Sequence, residues 1–359
     1  LEALTVPVIE AALKDARLAA RAVDEIVLGN TTAGGNPARL VGLAAGLPEG
    51  APALTVDRQC ASGLDAIMLA ARSVACGDAR VIIAGGAESL STAPWRIAKP
   101  RTLFQTPRFI GPETGQDADD DPSLPAIAAS EALARRLGIG RSEQDAHALR
   151  SHLRSDQARD RRRFIGEIVP LKVSAEETRD EEQGLGDLGD LAELDPLLPP
   201  DGTHTLGNSS SLRDGAAMAV VVSQDVWVDL GKPPAMRVLA YATQGLGPGE
   251  EARAPIAALE KVLRPNGSAK PAPQIIEMSE ASAAQAIALV RALDLNEDAV
   301  NVDGGAVSRG YPLGAASAVS VVRLFTNLVR REDGPRRTYG AVTQGAVGGL
   351  GASALFEAV

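Results

Sequence analysis

The stretch V-D-R-Q-C-A-S-G-L-D-A-I, residues 56–67, sets a cysteine where an extended run turns into a helix. Upstream, P-A-L-T-V-D (52–57) reads as a strand. Downstream, Leu64, Ile67, Met68, Ala71 and Val74 trace one helical face, which Gly77 ends. At such a junction the free backbone N–H groups and the helix dipole favour a thiolate, so Cys60 is a candidate nucleophile. Ser62 and Gly63 are small and leave room for a substrate carbonyl. The alternative is a buried structural cysteine, and Cys76, in the last turn before Gly77, is read that way.

Working outward, residues 6–17 have helical spacing, V-D-E-I-V-L-G-N (23–30) reads as a strand, 37–46 as a helix, and 79–89 as a strand running into glycine. This alternation implies a parallel sheet with covering helices. Residues 90–205 differ: proline recurs, D-A-D-D-D (117–121) and 180–195 are acidic, and R-D-R-R-R (159–163) is basic. This is an inserted region of loops and short helices. The α/β pattern resumes with strands at 215–223, 235–242, 273–278, 299–302 and 338–343, helices at 254–264, 282–293 and 314–330, and a final strand. C-A-S-G-L-D-A-I is echoed by P-L-G-A-A-S-A-V in the second half, as if two similar halves presented two helix N-termini to one cleft.

With 359 residues, 45% of them hydrophobic, the chain can build more than one core. The longest apolar run, A-A-M-A-V-V-V (216–222), is far short of the ~20 residues a bilayer crossing needs. A net charge of −10 argues against nucleic-acid binding through a broad basic face. Two cysteines make no disulfide framework, so a cytoplasmic, reducing setting is the default.

D-R-Q-C-A-S-G-L-D-A followed by A-G-G-A-E-S-L-S resembles the nucleophile segment of the thiolase family. Further similar segments follow in order: G-N-P-A-R (35–39), I-G-R-S-E-Q-D-A-H-A-L-R-S-H (139–152), D-G-T-H-T-L-G-N-S-S-S-L-R-D-G-A-A (201–217), G-L-G-P (245–248) and N-V-D-G-G-A-V-S-R-G-Y-P-L-G-A-A-S-A (301–318). The resemblance covers nearly the whole chain. It implies an α/β fold of five layers, α/β/α/β/α, made of two similar halves with an inserted loop domain. The N-terminal half would be 1–89 with 206–230, lacking its first strand. The loop domain would be 90–205 and the C-terminal half 231–359. It also implies that the cysteine takes an acyl group from a CoA thioester and passes it to a second substrate. That chemistry needs a nucleophile, a base to activate it, a second acid/base at the acceptor and two oxyanion holes.

Only the nucleophile position matches the family's reacting groups. Tyr311, in G-Y-P, stands where the family has the histidine of G-H-P. Gly345, in Q-G-A-V-G-G-L-G, stands where it has a second cysteine, with Val347 at the glycine of that motif. S-E-A-S keeps the acid as Glu280 but puts Ser279 where an asparagine holds a water. Free tyrosine, with a pKa of about 10, is a poor base. His147 and His152 fall on a loop-domain helix and are read as surface residues; His204 lies beside T-L-G-N-S-S at a variable position. The resemblance further places Ser210 beside the pantetheine of CoA and loop-domain arginines near its phosphates, the run 159–163 being the candidate. It implies a homodimer or homotetramer. CoA or acyl-CoA is expected as substrate or ligand, with no metal and no tightly bound cofactor.

Three readings follow. The first is an acyltransferase of altered chemistry that loads Cys60 and passes the group to a non-carbon acceptor. The second is a non-catalytic acyl-CoA-binding protein or the weaker subunit of a hetero-oligomer. The third is a folded relic without a ligand.

Overall fold

The computed structural model describes residues 1–110, 124–171, 189–247, 249–264, 270–331 and 337–359. The acidic run 117–121 and most of 180–195 lie outside them.

Two mixed sheets form the frame. The first contains β1 (Glu25–Gly29), β2 (Ala53–Val56), β3 (Val81–Glu88) and β6 (Gly215–Val222) in the order β2-β1-β3-β6, parallel except for β6. The second contains β7 (Met236–Gly245), β8 (Ile275–Met278), β9 (Tyr339–Ala346) and β10 (Leu350–Ala358) in the order β7-β10-β9-β8. There β8 and β9 are parallel, and β10 is antiparallel to both its neighbours. β3 is buried at all eight positions, which explains why its sequence is a continuous small and apolar run up to the buried Glu88 at its end instead of an alternating one.

Helices make the other three layers. α1 (Glu2–Asp15) and α2 (Pro37–Ala44) cover the outer face of the first sheet. α7 (Ala254–Leu263) and α8 (Ala283–Ala292) cover the outer face of the second. Between the sheets lie α3 (Ser62–Cys76) and α10 (Leu313–Phe325), packed on each other. The echoed segments are thus the two central helices. A Cβ on Gly63 would come within 2.8 Å of the Ala318 Cβ and 2.9 Å of the Gly314 oxygen, so glycine lets the two N-termini meet. Gly63 is a helix–helix contact, and the Ser62 hydroxyl braces the preceding turn. Neither residue provides the space for a carbonyl that its size suggested.

The inserted region carries a hairpin, β4 (Arg96–Ala98) with β5 (Arg108–Ile110), and two substantial helices, α4 (Leu124–Leu137) and α5 (Arg141–Asp160), in place of short ones. Between this region and the second half lies the short α6 (Gln224–Asp229). The expected strand at 299–302 is only a bridge between Val300 and Ile276, because Asn301 turns to φ +46° and its side-chain oxygen takes the Met278 N–H. A short α9 (Ala306–Arg309) precedes α10, which ends in a π-helical turn over Thr326–Arg330. No helix among the described residues is long and apolar enough to cross a membrane.

Candidate active site

The 57–61 turn is held by its own side chains. Asp57 accepts from the Gln59 N–H (2.9 Å), the Arg58 N–H donates to Ser62 Oγ (2.8 Å), and the Ser62 hydroxyl donates to the Gln59 carbonyl (2.6 Å). Arg58 pairs with Asp65, which also accepts from the Tyr241 hydroxyl of the second sheet. Non-glycine residues with positive φ sit within two positions of each key residue: Gln59 (+52°) beside Cys60, Glu280 (+47°) beside Ser279, and Leu313 (+25°) after Tyr311. Such conformations cost about 1–3 kcal/mol each and persist only where the surroundings impose them.

Cys60 is buried, 6% exposed, and Tyr311, 5% exposed, is hydrogen-bonded to it. Tyr311 is held by a 2.8 Å bond from its N–H to the Ser211 carbonyl, which puts 209–213 alongside the site. Burial first, then electrostatic repulsion from Cys60 and the hydrogen bond to it, push the phenol well above its ordinary value. The hydroxyl therefore keeps its proton and donates it; it does not withdraw one from the thiol.

Gln344, which the sequence reading passed over, completes this cluster. It is fully buried, and its Nε2 donates to the Tyr311 hydroxyl at 2.6 Å. Its Oε1 has no partner among the described residues, and neither has the Oγ of Ser279, 3% exposed. Ser279 lies near enough to the phenol to oppose part of its rise, yet lacks the geometry of a hydrogen bond. Strand alternation explains the arrangement. On β9, Thr343 bonds outward to the Pro255 carbonyl (2.9 Å), Gln344 points inward to Tyr311, and Gly345 faces outward again. A Cβ on Gly345 would meet the Glu251 oxygen at 2.8 Å, Gln285 Nε2 at 3.0 Å and Pro255 Cδ at 3.1 Å. The position aligned with the family's second cysteine is closed. In the following turn the positive φ values belong to Gly348 and Gly349, not to Val347.

Glu280 is turned toward the loop domain. It accepts from His147 Nε2 (2.9 Å), Ser151 Oγ (2.8 Å) and the Val307 N–H (3.1 Å). Burial alone would raise its pKa; these hydrogen bonds outweigh burial and hold it below the usual carboxylate range. Arg150 donates to His147 Nδ1 (2.9 Å), which leaves the ring proton on Nε2 for Glu280. The reading of His147 and His152 as surface residues is corrected: they are 8% and 3% exposed. α5 buries a polar face against the second half, and a pattern of charged and polar residues looked like a solvated one. His204 is fully buried but bonded to Glu131 (2.7 Å) and Ser130 (2.8 Å), within the loop domain. Cys76 is exposed, so the expectation of a buried structural cysteine fails there: the last turn of α3 emerges into solvent.

Ser210 sits at the edge of the site, its N–H and Oγ both donating to the Ala281 carbonyl at 3.0 Å. In the basic run, Arg161 and Arg162 are exposed, whereas Arg163 turns inward to Asp303 (2.7 Å) and Arg159 pairs with Asp156. A groove of ≈ 1860 Å³ runs along β6 between α1 and residues 233–238 and reaches the site at Ser279, without Cys60 or Tyr311 in its lining.

Residues 1–225 match the profile of the thiolase N-terminal domain and 232–358 that of the thiolase C-terminal domain. An acetyl-CoA acetyltransferase of Pseudomonas aeruginosa is 37% identical over 340 residues, covering 90% of this chain and 86% of that one. An acetyl-CoA acetyltransferase of Allochromatium vinosum is 34% identical over 330 residues, covering 88% and 83%. Among solved structures, the Bacillus anthracis acetyl-CoA acetyltransferase superposes with a TM-score of 0.88 at 30% identity, covering 100% of this chain and 93% of that one. Human mitochondrial 3-ketoacyl-CoA thiolase in complex with CoA does so with 0.88 at 29%, covering 99% and 91%. With both domain profiles matched in order and the five-layer fold in place, this chain belongs to the thiolase family.

Proposed function

We propose that the protein is an acyltransferase of thiolase type that takes an acyl group from a CoA thioester onto Cys60 but does not run the ordinary Claisen and thiolysis cycle. The observation carrying this reading is the Cys60–Tyr311–Gln344 chain: a cysteine at the entrance to a helix faces a hydroxyl that accepts from Gln344 and holds its own proton, so it is no base for the thiol. Loss of a general base costs about 10²–10⁴ in rate. Acylation is therefore slow, with Tyr311 donating toward the sulfur or the acyl oxygen and Ser279 near the carbonyl. Glu280 acts by fixing its segment against α5, and Gly345 supplies no acid/base. Ser210 lies beside the pantetheine, and the exposed Arg161 and Arg162 are the members of the basic run free to meet phosphate. A homodimer or homotetramer in the cytoplasm fits this reading.

The second reading is a non-catalytic acyl-CoA-binding protein or weak subunit. The burial of Cys60 and the fixed proton of Tyr311 favour it. Incubation with short and medium acyl-CoAs, followed by intact-mass measurement and peptide mapping, separates the two. An acyl adduct on Cys60 supports the transferase. An unmodified chain that binds acyl-CoA in a calorimeter refutes it in favour of the binder, and no binding at millimolar concentration removes both.

A further inference from the structure

We infer that Gln344 and Ser279 form an acceptor subsite for a nucleophile carrying two hydrogens on one heteroatom, a primary amine or water, and not for a carbon nucleophile. This rests on the reading of Cys60 as an acyl carrier and narrows it. Gln344 Oε1 and Ser279 Oγ are buried and without partners among the described residues, and both lie around the hydroxyl that is bonded to Cys60. Unpaired buried polar atoms at a reacting centre call for a ligand that pairs with them. A carboxamide oxygen accepts hydrogen bonds only, so the ligand brings an N–H or O–H.

The same surroundings argue against a carbon acceptor. Removing a proton from carbon needs a base, and neither amide nor hydroxyl is one. The aligned cysteine position is glycine, and its side-chain direction is filled by Glu251, Gln285 and Pro255. His147, the nearest imidazole in the S-E-A-S network, is committed to Glu280 and Arg150.

With an amine the step balances. Its lone pair attacks the acyl carbon on Cys60 Sγ; the C–N bond forms and the C–S bond breaks. One amine hydrogen passes to the Tyr311 oxygen as the Tyr311 proton passes to the departing sulfur. The second stays hydrogen-bonded to Gln344 Oε1. The products are an amide and the free thiol, and Tyr311 is never a phenolate. With water, the same sequence yields the carboxylic acid. An alcohol has one hydrogen and cannot serve both oxygens.

The test uses the Cys76→Ser chain, acetylated on Cys60 with p-nitrophenyl acetate so that loading does not depend on CoA. Decay of the acetyl adduct is followed by mass with and without glycinamide. We expect glycinamide to speed the decay saturably and N-acetylglycinamide to form. Gln344→Met should slow transfer at least ~10-fold, since a site built to pair an N–H loses discrimination without its acceptor. Gln344→Glu, which keeps the oxygen, should recover it to within about threefold, an outcome a merely structural role would not give. Decay indifferent to glycinamide but equally sensitive to Gln344→Met identifies water as the acceptor, within the same subsite. Equal decay in parent and Gln344→Met overturns the inference, as does acetoacetyl-CoA as the main product when acetyl-CoA is offered. Failure of Cys60 to load even from the activated ester overturns both this inference and the acyl-carrier reading. Loading from the ester but not from acyl-CoA removes only the CoA-donor reading, and the acceptor test still stands.

Discussion

Tyr311→His places a titratable base against Cys60, and the structure sets how far this can restore ordinary thiolase chemistry. A histidine here starts from a pKa near 6.5. Burial lowers it, as desolvation does for His204, so the ring is neutral at pH 7 and able to take the thiol proton. Recovering a general base is worth about 10²–10⁴, against roughly 1 kcal/mol for the lost Gln344–Tyr311 hydrogen bond. Acylation of Cys60 by acetyl-CoA should therefore rise at least ~20-fold. Adding Gly345→Cys should bring no comparable gain. The new Cβ lies 2.8 Å from a backbone oxygen of Glu251 and points toward α7, away from Tyr311. Overpacking of this kind costs about 1–3 kcal/mol. Single-turnover intact mass reports acylation, acetoacetyl-CoA thiolysis reports the full cycle, and urea unfolding reports stability. The double variant should be less stable than Tyr311→His, with thiolysis within about threefold of it. A double variant with undiminished stability and thiolysis more than ~10-fold above the single would refute the closed-subsite argument.

Two further outcomes are expected. Cys76, exposed at the end of α3, should be alkylated before the 6%-exposed Cys60 by iodoacetamide, read by peptide mapping; Cys60 labelling first would mean an open, poised thiolate. Glu277 is pushed up to about 7 by burial, partly offset by Arg323 and Arg309, with Asp303 adding to the rise. An acid whose folded value lies above its unfolded 4.5 favours folding while protonated, so its cost is absent below pH 4.5 and grows until about pH 7. The rise corresponds to a cost on the order of 3 kcal/mol, so Glu277→Gln should raise the melting temperature at pH 8 and change it little at pH 5. An equal effect at both values would contradict this.

The sequence by itself determined the alternation of elements, the two halves and the junction that carries Cys60, because these are written in local periodicity and in turn residues such as Gly77. Motif order also located Tyr311, Ser279 and Gly345 at the positions where the family's reacting groups stand. The tertiary structure decided what those replacements face. A one-residue step along β9 changes the face of the sheet, so Gln344 meets Tyr311 while Gly345 meets α7. No linear pattern states which of the two points inward when both faces of a strand are buried. The same limit hid His147 and His152. A polar helix face reads as solvated unless its partners are known, and the partners of α5 include Glu280, 133 residues from His147 along the chain.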